Sequence, residues 1–182
     1  MQIGDEFMTR NCGPVTVIRY VRTTCVHVVF NNTGHMLITS KQVLQGSERP
    51  RLHDPLAPTV FGVGCIGVGR HRAHDGQADT PIYGIWRAML RRCYYLPEQK
   101  PHRVGNRVCK EWLNFQNFAE WYEANHPNDG RKYQLDKDIK VRGNRLYCPE
   151  RCSLVTQQQN LAARYNTGRS KHRRLAPPPP PS

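Results

Sequence analysis

The hydrophobic pattern changes period along the chain, and that change limits the available folds more than any other feature. Between Gly13 and Gly34 the apolar residues alternate. "GPVTVIRYV" and "TCVHVVFNNTG" are β-branched runs, and in the second Val26, Val28 and Phe30 alternate with His27 and Val29. Asn31-Asn32-Thr33-Gly34 is a turn signal, and "HMLITSKQVL" can return as a further strand. From Thr80 the spacing becomes helical. Ile82, Ile85, Trp86, Met89, Leu90 and Cys93 fall at i, i+3, i+4, i+7, i+8 and i+11, behind a Thr80-Pro81 helix start. A second stretch, "VCKEWLNFQNFAEWYEANH", gives a wide face of Val108, Trp112, Phe115, Phe118, Ala119 and Tyr122. Both apolar stripes read as core.

Strands first and helices later predict an α+β chain. A small antiparallel β module of about five short strands occupies residues 1–58, as a barrel or meander. A Gly/Pro/basic linker follows over 59–79. An α+β domain spans 80–166, and a basic, polyproline tail spans 167–182 and is expected to be disordered. The linker contains G-x-G-x-x-G from Gly62 to Gly67, but "VGRHRAHDG" after it is no helix start, so a dinucleotide site is not expected there. Near the C-terminus, "LDKDIKVRGNRLYCPERCSLVTQQQN" reads strand, turn at Gly143-Asn144, strand, then a helix capped by Thr156.

Charge points to a partner. The net charge is +13, and no acidic residue follows Glu150, whereas Arg151, Arg164, Arg169, Lys171, Arg173 and Arg174 do. Such one-signed segments are attracted to phosphates at long range. Arg142 and Arg145 flank the Gly143-Asn144 turn and join this set. Arg87, Arg91 and Arg92, opposite the first helical stripe, face either solvent or phosphate. The expected partner is nucleic acid, DNA ahead of RNA. The alternative is a protein of the same biological system, met through the N-terminal strands or the proline tail. No run approaches the ~20 apolar residues that cross a bilayer, so no membrane role is expected. The N-terminus shows no secretory pattern, and a cytoplasmic location is expected. Seven cysteines are irregularly spaced. Cys93, Cys109, Cys148 and Cys152 are the candidates for a structural zinc site, a weaker reading than packed thiols because the usual paired C-x2-C spacing is missing.

The Leu135–Asn160 stretch, with "IYGIWRAMLRRCYY" and "VCKEWLNFQNFAEWY" before it, resembles the HNH, or ββα-metal, endonucleases common in bacteriophages. The resemblance covers roughly Thr80 to Asn166. It implies an HNH-like strand–strand–helix unit with Mg2+ or another divalent metal as cofactor, held by Asp136 and Asn160, with Asp138 as a further ligand. It also implies a general base at position 137, oriented by Asn144, and a host-cell cytoplasmic location for a phage product. Lys137 stands where the family has His. An ordinary alkylammonium, with a pKa of about 10.4, is protonated near neutrality and cannot take a proton from water. His102 and His126 are the nearest histidines before the motif, and nothing in their spacing brings them in. The resemblance therefore leaves three readings open. One is a nucleic-acid-binding protein with lost or reduced catalysis, one is a metal-dependent nicking endonuclease, and one is a charged strand edge with internal ion pairing.

Overall fold

The computed structural model describes residues 1–95 and 105–163. The chain is mixed α and β. Four strands come first: β1 (Glu6–Met8), β2 (Pro14–Arg22), β3 (Cys25–Phe30) and β4 (Met36–Thr39). They form one antiparallel sheet in sequence order. The period-two pattern places Val15 and Val17 of β2 opposite Phe30 and Val28 of β3, all fully buried on one face. The return strand is shorter than the apolar run suggested. The Ser40 hydroxyl accepts from the Val43 amide and starts a helix, α1 (Lys41–Gln45), whose Leu44 joins Cys12 and Ala57 in this first core. Four strands and a short helix thus take the place of the five strands expected.

The segment read as a loose linker is packed. Val60, Phe61, Val63 and Ile66 lie against a second, larger core. It ends in a short hairpin, β5 (His74–Asp75) with β6 (Ala78–Asp79). Two glycines of G-x-G-x-x-G, Gly64 and Gly67, serve close approach. A Cβ at Gly64 would collide with Leu90 and stand 2.9 Å from the Trp86 ring. One at Gly67, where φ is +77°, would run into the Asn114 carboxamide.

Helix α2 (Pro81–Tyr94) begins as its sequence predicts, with the Thr80 hydroxyl accepting from the Tyr83 amide. Trp86, Met89, Leu90 and Cys93 are buried, Tyr83 is buried beside them, and Ile82 and Ile85 are only partly covered. The aromatic stretch behaves differently from the expected single helix. Val108 lies in β7 (Arg107–Val108), Trp112 in a 3-10 turn (Glu111–Leu113), and α3 (Phe115–Asn125) starts only after Asn114, which caps it by accepting from the Gln116 amide at 2.9 Å. The apolar residues still converge on one core, where the Trp86 indole donates to the Trp112 carbonyl at 2.7 Å. Helical spacing is there mimicked by a strand and a tight turn.

β8 (Tyr133–Asp136) pairs antiparallel with β10 (Ser153–Thr156), Asp136 opposite Ser153 and Tyr133 opposite Thr156. Between them, β9 (Leu146–Tyr147) pairs in parallel with β7 rather than with β8. Residues 157–163 are helical (α4). Thr156 and Gln159 cap that start reciprocally. The Thr156 hydroxyl accepts from the Gln159 amide at 3.3 Å, and the Thr156 amide donates to the Gln159 side chain at 2.8 Å. No helix among the described residues is long and apolar enough to cross a membrane.

Candidate functional site

Asp136 closes β8, and its position makes it a hinge for the loop that follows. Its Oδ1 accepts from the amides of Asp138 and Ile139, each at 2.8 Å. That local turn directs Lys137 inward. The Lys137 side chain is 14% exposed, and its Nζ donates to both Asp138 carboxylate oxygens at 2.8 and 2.9 Å and to the Asn144 carbonyl at 2.6 Å. Asn144 is buried and holds the same residue from its other end, its Nδ2 donating to the Lys137 carbonyl at 2.9 Å. The rest of its carboxamide is used as well. Nδ2 donates to the Leu146 carbonyl at 2.7 Å, and Oδ1 accepts from the Leu146 amide at 3.0 Å. Three oxygens, two from Asp138 and one from Asn144, thus surround the lysine nitrogen.

A cleft of about 670 Å³ opens beside this loop, and Asp136, Lys137, Asp138 and Asn160 all line it. Asn160 comes from α4 and donates to the Gln134 side chain at 3.2 Å. The opposite wall is α2, where Gly84 and Ala88 are small enough to leave room and Arg92 adds a guanidinium. A Cβ at Gly84 would meet nothing within 4 Å. Asn106, Tyr133, Gln134 and Tyr147 complete the polar lining. Burial pushes the Tyr147 phenol up, and Arg92, hydrogen-bonded to it, pulls it back. The cleft thus gathers two acids, two cations and three amides, a set suited to phosphate or to a cation.

The three arginines of α2 part company. Arg92 faces the cleft, Arg87 pairs with Asp79 at 3.1 Å, and Arg91 lies 6.0 Å over the Tyr95 ring. Arg142, Arg145 and Arg151 are exposed around the Asn144 loop, with Arg151 reaching Asn144 Oδ1 at 3.5 Å. Arg164, Arg169, Lys171, Arg173 and Arg174 lie outside the described residues, as do His102 and the proline run. His126 packs between Tyr122 and Tyr133, and its Nδ1 accepts from the Asn128 amide.

No three of Cys93, Cys109, Cys148 and Cys152 bring their sulfurs within 4.8 Å of one another. Burial pushes the Cys152 thiol up to about 12 and the Cys93 and Cys109 thiols up to about 11, which opposes the thiolate that zinc requires. One group of side chains among the described residues could hold a metal ion, and the sequence reading did not single it out. His71, Glu120 and Glu123 bring one ligand atom each within 4.8 Å of the others. The glutamates stand one turn apart on α3, a pairing readable in the sequence. His71 comes from the packed segment some fifty positions away, which only the fold reveals. Arg70 occupies the same carboxylates, Nε to Glu120 at 2.9 Å and Nη2 to Glu123 at 2.7 Å. Arg70 first, then His71, hold the Glu120 carboxyl down to about 2. The Gln116 side chain accepts from the His71 amide and donates to the His71 carbonyl, both at 2.9 Å, so the network also fastens this segment to α3.

Comparison with known proteins yields no matching family model, no similar curated protein and no similar solved structure.

Proposed function

We propose that the chain is a nucleic-acid-binding protein whose C-terminal strand–loop–strand–helix unit is HNH-like and no longer cleaves. The observation that carries this reading is the state of Lys137. It stands in the cleft at the base position, yet its nitrogen is tied to Asp138 and to the Asn144 carbonyl. A water-activating base must be free to point at the reacting water, and this nitrogen is already engaged by the oxygens of Asp138 and Asn144. The rest of the arrangement supports the resemblance. Asp136 and Asn160 share one cleft, and Asn144 holds residue 137 through its carbonyl. Affinity comes from the exposed arginines around the Asn144 loop and from the net charge of +13. DNA is the expected polymer.

The second reading is a metal-dependent nicking enzyme, favoured by Asp136 and Asn160 lining the same cleft. Those two residues, with Asp138, would hold the ion, which would stabilise charge on a phosphate. A fluorescence titration and a plasmid assay separate the two. Binding to duplex DNA that weakens steeply with salt, with supercoiled plasmid left intact in magnesium or manganese, is the expected result. Nicking that needs the metal and disappears in Asp136→Ala would establish the enzyme instead. No affinity for any polynucleotide at low ionic strength would remove both.

A further inference from the structure

The first module carries a strongly basic surface that neither the resemblance nor the C-terminal cleft uses. Two open clefts, of about 690 and 330 Å³, share Arg10 and Arg51 as a common wall, and Arg49 lines the larger. All three arginines are exposed, and none forms an ion pair among the described residues. One carboxylate, Glu48, lines the same surface. The one buried acid among the described residues, Asp54, is already engaged, accepting from the Thr33 hydroxyl at 2.6 Å and from the Leu56 amide at 2.9 Å. Three guanidiniums face one carboxylate, so the surface lacks the counter-charge of an ordinary ion-pair network.

The backbone beneath them is held. Arg10 comes from the β1–β2 connection, and Arg49 and Arg51 from the chain after α1. The Arg10 amide donates to the carbonyl of buried Pro50 at 3.2 Å, and the Asp54 amide contacts Cys12 Sγ at 3.5 Å. Gly46 lets the chain turn this tightly, since a Cβ there would press on the Gln42 carbonyl at 2.5 Å. Two stitched loops thus present three planar forks from a fixed base, a geometry suited to phosphate oxygens.

We propose that Arg10, Arg49 and Arg51 form a second phosphate-contacting surface, which takes the backbone of the same nucleic acid. The proposal rests on the nucleic-acid reading above and extends it to the N-terminal module. The test is a salt series of duplex binding by fluorescence anisotropy, using the full chain. In B-DNA each phosphate contact adds about 0.9 to the slope of log affinity against log salt. Replacing the three arginines together by glutamine is expected to reduce that slope by about 2 to 3, and Arg49→Gln alone by about 1. The triple Arg→Lys variant, which keeps the charge, is expected to keep most of the slope. An unchanged slope in a triple glutamine variant that melts like the parent overturns the proposal and leaves the C-terminal reading standing. Failure of the parent protein to bind DNA overturns both. Titration with inorganic phosphate, followed by NMR at the arginine Nε resonances, distinguishes the source. Saturable shifts together with an unchanged duplex slope would assign the clefts to a free phosphate compound and overturn the polymer reading.

Discussion

Removing the Asn144 side chain tests whether the cleft loop is held from a single buried residue. Asn144 is 4% exposed and makes three hydrogen bonds of 3.0 Å or less through its carboxamide. Two of them reach Leu146, only two residues away, and such local bonds contribute toward the low end of the usual ~0.5–1.5 kcal/mol. The third spans seven residues to the Lys137 carbonyl and closes the loop. Asn144→Ala loses all three and strands buried polar groups, which together cost about 3 kcal/mol. In a chain of this length that corresponds to a fall in Tm of about 6–12 °C. Asn144→Asp keeps the acceptor for the Leu146 amide but sets a carboxylate oxygen against two carbonyls, so it is expected to destabilise at least as much at neutral pH. Thermal melting followed by circular dichroism reads both variants. A shift below about 2 °C for Asn144→Ala would show that the loop is held by other contacts and that the positioning of Lys137 has been misread.

Gly64→Ala forces a methyl into Leu90 and the Trp86 ring and is expected to lose about 1–3 kcal/mol in urea unfolding, with parent-like stability as the refuting result. The Glu120 carboxyl is held from its ordinary 4.5 down to about 2, so its contribution is present above pH 4.5 and is lost as pH falls toward 2. Glu120→Gln should therefore flatten the fall of Tm across that window, and an acid-melting profile identical to the parent's would refute the link. Cys152 is fully buried with its thiol pushed up to about 12, so it should resist alkylation at pH 8 in the native protein and react once denatured. Rapid native labelling of Cys152, read by peptide mass spectrometry, would contradict the packing described.

The elements with strong local signals were legible in the chain itself. Thr80-Pro81 starts α2, the Val26–Phe30 alternation makes a strand, and Thr156 caps the final helix, because caps and periodicity act within a few residues. The aromatic stretch misled because Val108 and Trp112 bury side chains at helical spacing from a strand and a 3-10 turn. Burial pattern reports which residues are covered and not the backbone that brings them there. Likewise "HMLITSKQVL" is apolar enough for one strand, but a cap at Ser40 ended it. In the candidate site, Asp136, Lys137, Asn144 and Asn160 were named only through the positions that the family resemblance implies. The walls supplied by Gly84, Ala88 and Arg92 could not be named that way.

What the sequence determined by itself was charge, the capped and strongly periodic elements, and the residue standing at position 137, since each depends on composition or on neighbours a turn away. What only the tertiary structure decided was pairing and company. It sent Leu146 to β7 and left β8 to β10. It packed the glycine-rich segment beneath α2 and set His71 between two glutamates. It also committed the Lys137 nitrogen to Asp138 and a buried turn. Those outcomes depend on long-range burial, where distant segments compete for the same apolar surface and the same few polar partners, and no local pattern records which of them wins.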